Sequence, residues 1–127
     1  MYIYSNPHPK GKRVGDCVKR AIVLATGLDY MEVQRQLNAH KKVTGASVYN
    51  DNKNWKSFVE NVLKAIPIKI EVIPGEPRIT GATFGTYFPK GTYILRMARH
   101  LSCCIDGNLL DSWDCSEKCV YKAYKIV

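Results

Sequence analysis

Asp106-Gly107 is the dipeptide that most constrains what this chain can fold into. Apolar and β-branched residues flank it, and the pair favours a two-residue hairpin loop with positive φ at both central positions. Such a loop pairs Ile105 with Asn108, Ser102 with Asp111 and His100 with Trp113. A loop at Gly107-Asn108 keeps the same parity. His100 and Asp111 then lie diagonally on one face within side-chain reach, whereas Asp114 falls on the other face because neighbouring strand residues alternate sides. Asp111 is therefore the expected partner of His100.

The 127 residues suit one domain, spanning 1–127, which buries roughly two-thirds of its unfolded surface. No apolar run approaches the roughly 20 residues that cross a bilayer, so no membrane association is expected. Residues Met1 to Pro7 lack the basic start and apolar centre of a secretory signal, and the expected compartment is the cytoplasm. The five cysteines, Cys17, Cys103, Cys104, Cys115 and Cys119, are odd in number and unevenly spaced, a pattern of free thiols rather than of a disulfide framework. A net charge of +8 is compatible with a nucleic acid or an acidic protein surface as partner. The basic residues are scattered, however, which favours a solvated surface over a dedicated nucleic-acid face.

Residues 1–15 read as an extended lead-in, interrupted by Pro7, Pro9, Gly11 and Gly15. Asp16 is the expected N-cap of a helix from Cys17 to Thr26, closed by Gly27. Cys17 then sits in the first turn, where unpartnered N–H groups and the macrodipole favour a thiolate. A second helix is expected over 29–40, with Asp29 and Glu32 at capping-box spacing, and a third over 55–66, stopped by Pro67. Alternating Ile68, Ile70 and Val72 predict a strand over 68–73. Thr83 to Phe88 suits one helical turn. Further strands are expected over 92–98, 100–106, 108–113 and 119–126, giving an α+β domain whose N-terminal helices pack on a C-terminal antiparallel sheet.

A cysteine at a helix start, a later histidine on a strand and a carboxylate on the next strand are the parts of a cysteine nucleophile system. They are Cys17, His100 and Asp111. Gly15-Asp16-Cys17 opening a helix, His100 opening a strand, and Asp111-Ser112-Trp113 on the next one resemble the papain-like cysteine peptidase superfamily. The Asp-Cys start also resembles bacterial peptidases that cut double-glycine leader peptides, and the small size resembles compact papain-like proteins encoded by bacteriophages. The resemblance implies a papain-like fold and a thiol hydrolase or related acyl-transfer enzyme acting on a polypeptide or isopeptide bond, without a cofactor. A host or viral protein is the implied target, and Trp113 is implied to shield the histidine pair from water. Those families place a glutamine about six residues before the cysteine as an oxyanion donor, and this chain has Gly11 there. Asn6 is the candidate substitute if the lead-in folds back, with the Cys17 N–H as second donor.

Three other readings compete. A catalytically silent papain-like protein that captures a host factor would use the same fold; a basic nucleic-acid-binding module would gather its cations on a face away from Cys17. Cys115 and Cys119, with Cys103, Cys104 and His100, superficially supply zinc ligands, but Cys103 and Cys104 point to opposite strand faces and no Cys-x-x-Cys knuckle is present, so no metal is expected. His8 and His40 read as surface residues. The Lys10, Lys12, Arg13 run reads as a solvated segment able to hold an acidic stretch of substrate near Cys17.

Overall fold

The computed structural model describes residues 1–127. Its order of elements is β1 (Tyr2–Tyr4), α1 (Cys17–Thr26), α2 (Tyr30–Thr44), α3 (Asn52–Ser57, continued by a π-helical turn Phe58–Val62), β2 (Ile66–Lys69), α4 (Gly81–Tyr87), β3 (Thr92–Met97), β4 (His100–Ile105), β5 (Asn108–Asp111) and β6 (Lys122–Ile126). One six-stranded sheet runs β1-β5-β4-β3-β6-β2, and the fold class is α+β. No helix is long and apolar enough to cross a membrane.

Asp106 and Gly107 have φ of 47° and 83°, the two positive values that the tight loop requires. Ile105 pairs with Asn108, Cys104 with Leu109 and Cys103 with Leu110. Continued by one residue, this register sets Ser102 across from Asp111. The sheet is not purely antiparallel, because the lead-in contributes β1, which pairs parallel to β5. The reading of residues 1–15 as an extended lead-in without a strand overlooked Tyr2-Ile3-Tyr4, three residues of strand-forming character that cover the otherwise open edge of β5.

The sheet separates two cores. On one face, Val18, Ala21 and Ile22 of α1 meet Val33, Leu37, Trp55 and Phe58 from the next helices and Ile94, Leu101 and Tyr124 from the sheet. On the other, Phe84 of α4 meets Tyr93, Leu95, Met97, Cys104, Leu109 and Cys115. Strand alternation distributes these residues: Ile94 faces the helices, while Tyr93 and Leu95 face α4. Burying about ten aliphatic and aromatic side chains per face, at roughly 1.5–3 kcal/mol each, supplies the main force that holds α1 against the sheet.

Several boundaries differ from expectation. Helix α2 continues past His40 to Thr44 because its stop is Gly45, at φ 75°. Helix α3 starts at Asn52 rather than Trp55, since the Asp51 carboxylate accepts from the Lys53 N–H and caps it. The helix ends before Ile66, which is extended ahead of Pro67. Pro67 lies inside β2, where a missing N–H is tolerated because β2 is an edge strand paired only with β6. Strand β2 consequently covers 66–69, not 68–73, and β6 begins at Lys122, the partner of Lys69. His40 is buried, not on the surface, with Nε2 at 2.8 Å from the Ser57 hydroxyl.

Candidate active site

Cys17 is the first residue of α1. Its neighbour Asp16 does not cap the helix with its side chain as expected. The Asp16 carboxylate turns inward instead, to the Arg20 guanidinium one turn on and to the Tyr30 hydroxyl at 2.6 Å. No side chain thus occupies the free N–H groups of the first turn, and the Cys17 N–H stays available for a developing oxyanion.

Helix α1 packs across β4 and touches β3 and β5, which brings the thiol to the start of β4. His100 opens that strand, just after Arg99, whose φ of 52° marks the tight turn from β3. His100 Nε2 lies 2.6 Å from Asp111 Oδ2, leaving Nδ1 as the nitrogen free to serve Cys17. Both side chains are buried. The Trp113 ring lies against the imidazole at 4.8 Å between centroids, tilted by 55°, and is itself partly exposed. The ring thus covers one face of the imidazole.

Asp111 is held by five side-chain or backbone donors. Oδ2 takes His100, the Ser102 hydroxyl at 2.7 Å and the Cys115 thiol at 3.4 Å. Oδ1 takes the Ser112 N–H at 2.7 Å and, more weakly, Arg20 Nη2 at 3.4 Å. Burial works to raise the Asp111 pKa, but the bonds from His100 and Ser102 outweigh it and hold the carboxyl below its ordinary value. The carboxylate in turn raises His100. Burial acts against the imidazolium, yet the hydrogen bond to Asp111, with the Cys115 and Cys17 thiols nearby, overrides it and pushes the pKa up to about 11. For Cys17, burial pushes the thiol up, while the His100 imidazole, the Leu101 backbone and the Arg20 charge pull it down, and the net direction is downward. A thiolate–imidazolium pair at neutral pH is the state these shifts favour. The strand thiols move the other way: burial raises both Cys103 and Cys104.

Two clefts meet at this pair. One, of about 390 Å³, runs toward α3 between Trp55, Asn50, Asn52 and the β3–β4 turn; the other, of about 330 Å³, runs under Trp113 beside Arg13, Val14 and Gly15. Cys17, Arg99 and His100 line both. A thiol between two open grooves can be approached by a chain that continues on either side of the reacting bond.

Of the residues expected here, Cys17, His100, Asp111 and Trp113 come together and Asn6 does not. The Asn6 amide donates to the Lys12 carbonyl at 3.1 Å and its Oδ1 accepts from the His8 N–H at 3.1 Å, so the residue is spent on the turn around Pro7. Sequence reading missed Arg20, which ties Asp16 to Asp111; the Asp16/Arg20 spacing of four on a helix was the available signal. It weighed Cys115 only as a zinc ligand and gave Ser102 no role, so the contacts of both with Asp111 went unforeseen. His100, Asp111 and Cys115 place ligand-type atoms within 4.8 Å of one another. The 2.6 Å Nε2–Oδ2 separation is nevertheless that of a hydrogen bond, shorter than the roughly 3.3 Å between two ligands about 2.0 Å from a tetrahedral zinc. Cys103 and Cys104 split between the two faces of β4, and neither joins this group. No protein-family model, curated protein or solved structure matches the chain, so the chemistry of this site rests on its own geometry.

Proposed function

We propose that the protein is a cysteine peptidase or related acyl-transfer enzyme acting on a polypeptide or isopeptide bond, with a papain-like arrangement of Cys17, His100 and Asp111. The observation that carries this reading is the 2.6 Å bond from His100 Nε2 to the buried Asp111, with the other imidazole nitrogen left for a thiol at a helix start. The Cys17 thiolate attacks the carbonyl carbon, and the oxyanion that develops is met by the Cys17 N–H. The C–N bond then breaks, the His100 imidazolium gives its proton to the leaving amine, and a thioester remains on Cys17. Water, or an acceptor amine in acyl transfer, is deprotonated by the neutral imidazole and attacks the thioester. The acyl group leaves, and the thiolate–imidazolium pair is restored. Asp111 fixes the tautomer and stabilises the imidazolium throughout.

The test is turnover of quenched fluorescent peptide pools with intact-mass detection of acylated Cys17. Wild type is expected to turn over at least one pool, Cys17→Ala none, and His100→Ala to be slower by about 10²-fold or more. Turnover by Cys17→Ala at the wild-type rate, or a wild-type protein that neither turns over a pool nor becomes acylated, overturns the proposal and leaves the binding-protein reading.

A further inference from the structure

The two clefts beside Cys17 are lined by arginines and by no carboxylate. Arg96 and Arg99 line the first; Arg13, Arg20 and Arg99 line the second. Arg20 is buried and its charge is met by Asp16 and Asp111. Arg13, Arg96 and Arg99 belong to none of the salt bridges of the molecule. Arg13 is exposed, and its Nη2 donates to the Ser112 carbonyl at 2.7 Å, which fixes the guanidinium beside Trp113 and leaves other N–H groups unspent. Arg99 is exposed on the β3–β4 turn, one residue before His100, and faces both grooves. Tyr121 also lines the first cleft, and Arg78 sits over its ring at 5.4 Å.

We infer that the substrate is a carboxylate-rich polypeptide whose acidic side chains flank the bond attacked by Cys17, read by Arg96 and Arg99 in one cleft and by Arg13 in the other. This inference rests on the enzyme reading above. A guanidinium outside any salt bridge matches a carboxylate in charge and geometry, and cations gathered at the mouth of a cleft also steer an anionic chain toward it. Nucleic acid is the other polyanion to weigh. The first cleft, however, is walled between its arginines by Val18, Trp55, Met97 and Leu101, apolar surface that suits side chains rather than a phosphate backbone.

The experiment compares peptide pools that carry Glu, Gln or Lys at the positions flanking a randomised centre. Wild type is expected to turn over the Glu pool about tenfold faster than the Lys pool, and added salt to about 0.5 M to compress that ratio severalfold. Arg99→Glu and Arg96→Glu should each reverse or abolish the preference, and Arg99→Gln should weaken it; circular dichroism establishes that the variants fold. Turnover of all three pools at equal rates overturns this inference while leaving the enzyme reading intact. Should no pool be turned over, the enzyme reading fails, and anisotropy with Cys17→Ala then judges the surface alone. Tighter binding of a Glu-rich than of a Lys-rich peptide supports the acidic specificity. Salt-dependent binding of a single-stranded oligonucleotide without binding of the Glu-rich peptide overturns it.

Discussion

Replacing Arg20 by methionine tests how the nucleophile helix is locked to the acid of the site. Arg20 is 5% exposed and its guanidinium faces the carboxylates of Asp16 and Asp111, residues 2% and 3% exposed, while Nη1 also donates to the Val14 carbonyl at 3.2 Å. Methionine keeps much of the stem volume and removes the charge. Two buried carboxylates then lose their shared cation, a change that costs about 3–5 kcal/mol when one partner of a buried pair is deleted. Two features place the loss toward the lower end. Asp16 keeps the Tyr30 hydroxyl and Asp111 keeps His100, Ser102 and Ser112; and the Arg20 Nε is buried without a partner, an existing cost that methionine relieves. About 3 kcal/mol is expected, read by urea unfolding as a lower midpoint at constant slope, with a fall in Tm of roughly 10 °C. Arg20→Met with Asp16→Asn should recover part of the loss, since one uncompensated charge goes with it. A loss under about 1 kcal/mol for Arg20→Met, or a double variant less stable than the single, would refute the buried network.

Asp111→Asn should lower turnover by about 10²-fold and bring the alkaline limb of the pH–rate profile down from near His100's raised value toward the ordinary imidazole range, because the carboxylate that stabilises the imidazolium is gone; an unchanged limb in a full profile would contradict this. Trp113→Ala uncovers the His100–Asp111 bond, so turnover should fall severalfold with the alkaline limb shifted in the same direction, checked in the same assay. Gly85→Ala places a Cβ 2.2 Å from the Gly107 carbonyl oxygen. That collision is with backbone, so α4 must move off the hairpin, and chemical unfolding should register a loss of about 1–3 kcal/mol.

How much of this was legible in the sequence follows from where each signal resides. The hairpin was, because Asp106-Gly107 specifies its own turn and parity carries His100 and Asp111 to one face. Helix α1 was, because Gly27 and the helix formers before it are local. Strand β1 was not: three residues at an edge gain their pairing from β5, more than a hundred residues away, and leave no periodicity to read. The turn inward of Asp16 was hidden for a related reason. As a residue before a helix it looks like a cap, and only the arrival of Arg20 and Tyr30 around it makes an ion pair the better use of its charge. Asn6 failed for the converse reason, since its local turn with His8 and Lys12 satisfied it before any distant oxyanion could. The basic clefts were legible only as composition. Arg13 lies more than eighty residues from Arg96 and Arg99, and α1 and the β3–β4 turn bring them together at Cys17.

The central claim is that His100 activates Cys17, and the rate of Cys17 alkylation against pH tests it most directly. Limiting iodoacetamide with peptide mass mapping should label Cys17 before Cys103 and Cys104, whose thiols burial raises, and before Cys115 and Cys119. The Cys17 rate should already be high at pH 7, with its midpoint below the ordinary thiol value of about 8.5. Sign follows from linkage: the imidazolium stabilises the thiolate, so His100→Ala should move the midpoint up and slow labelling at pH 7 by about tenfold, with Asp111→Asn smaller in effect. Fastest labelling at Cys115 or Cys119, or a Cys17 profile that His100→Ala leaves unchanged, would contradict the pair.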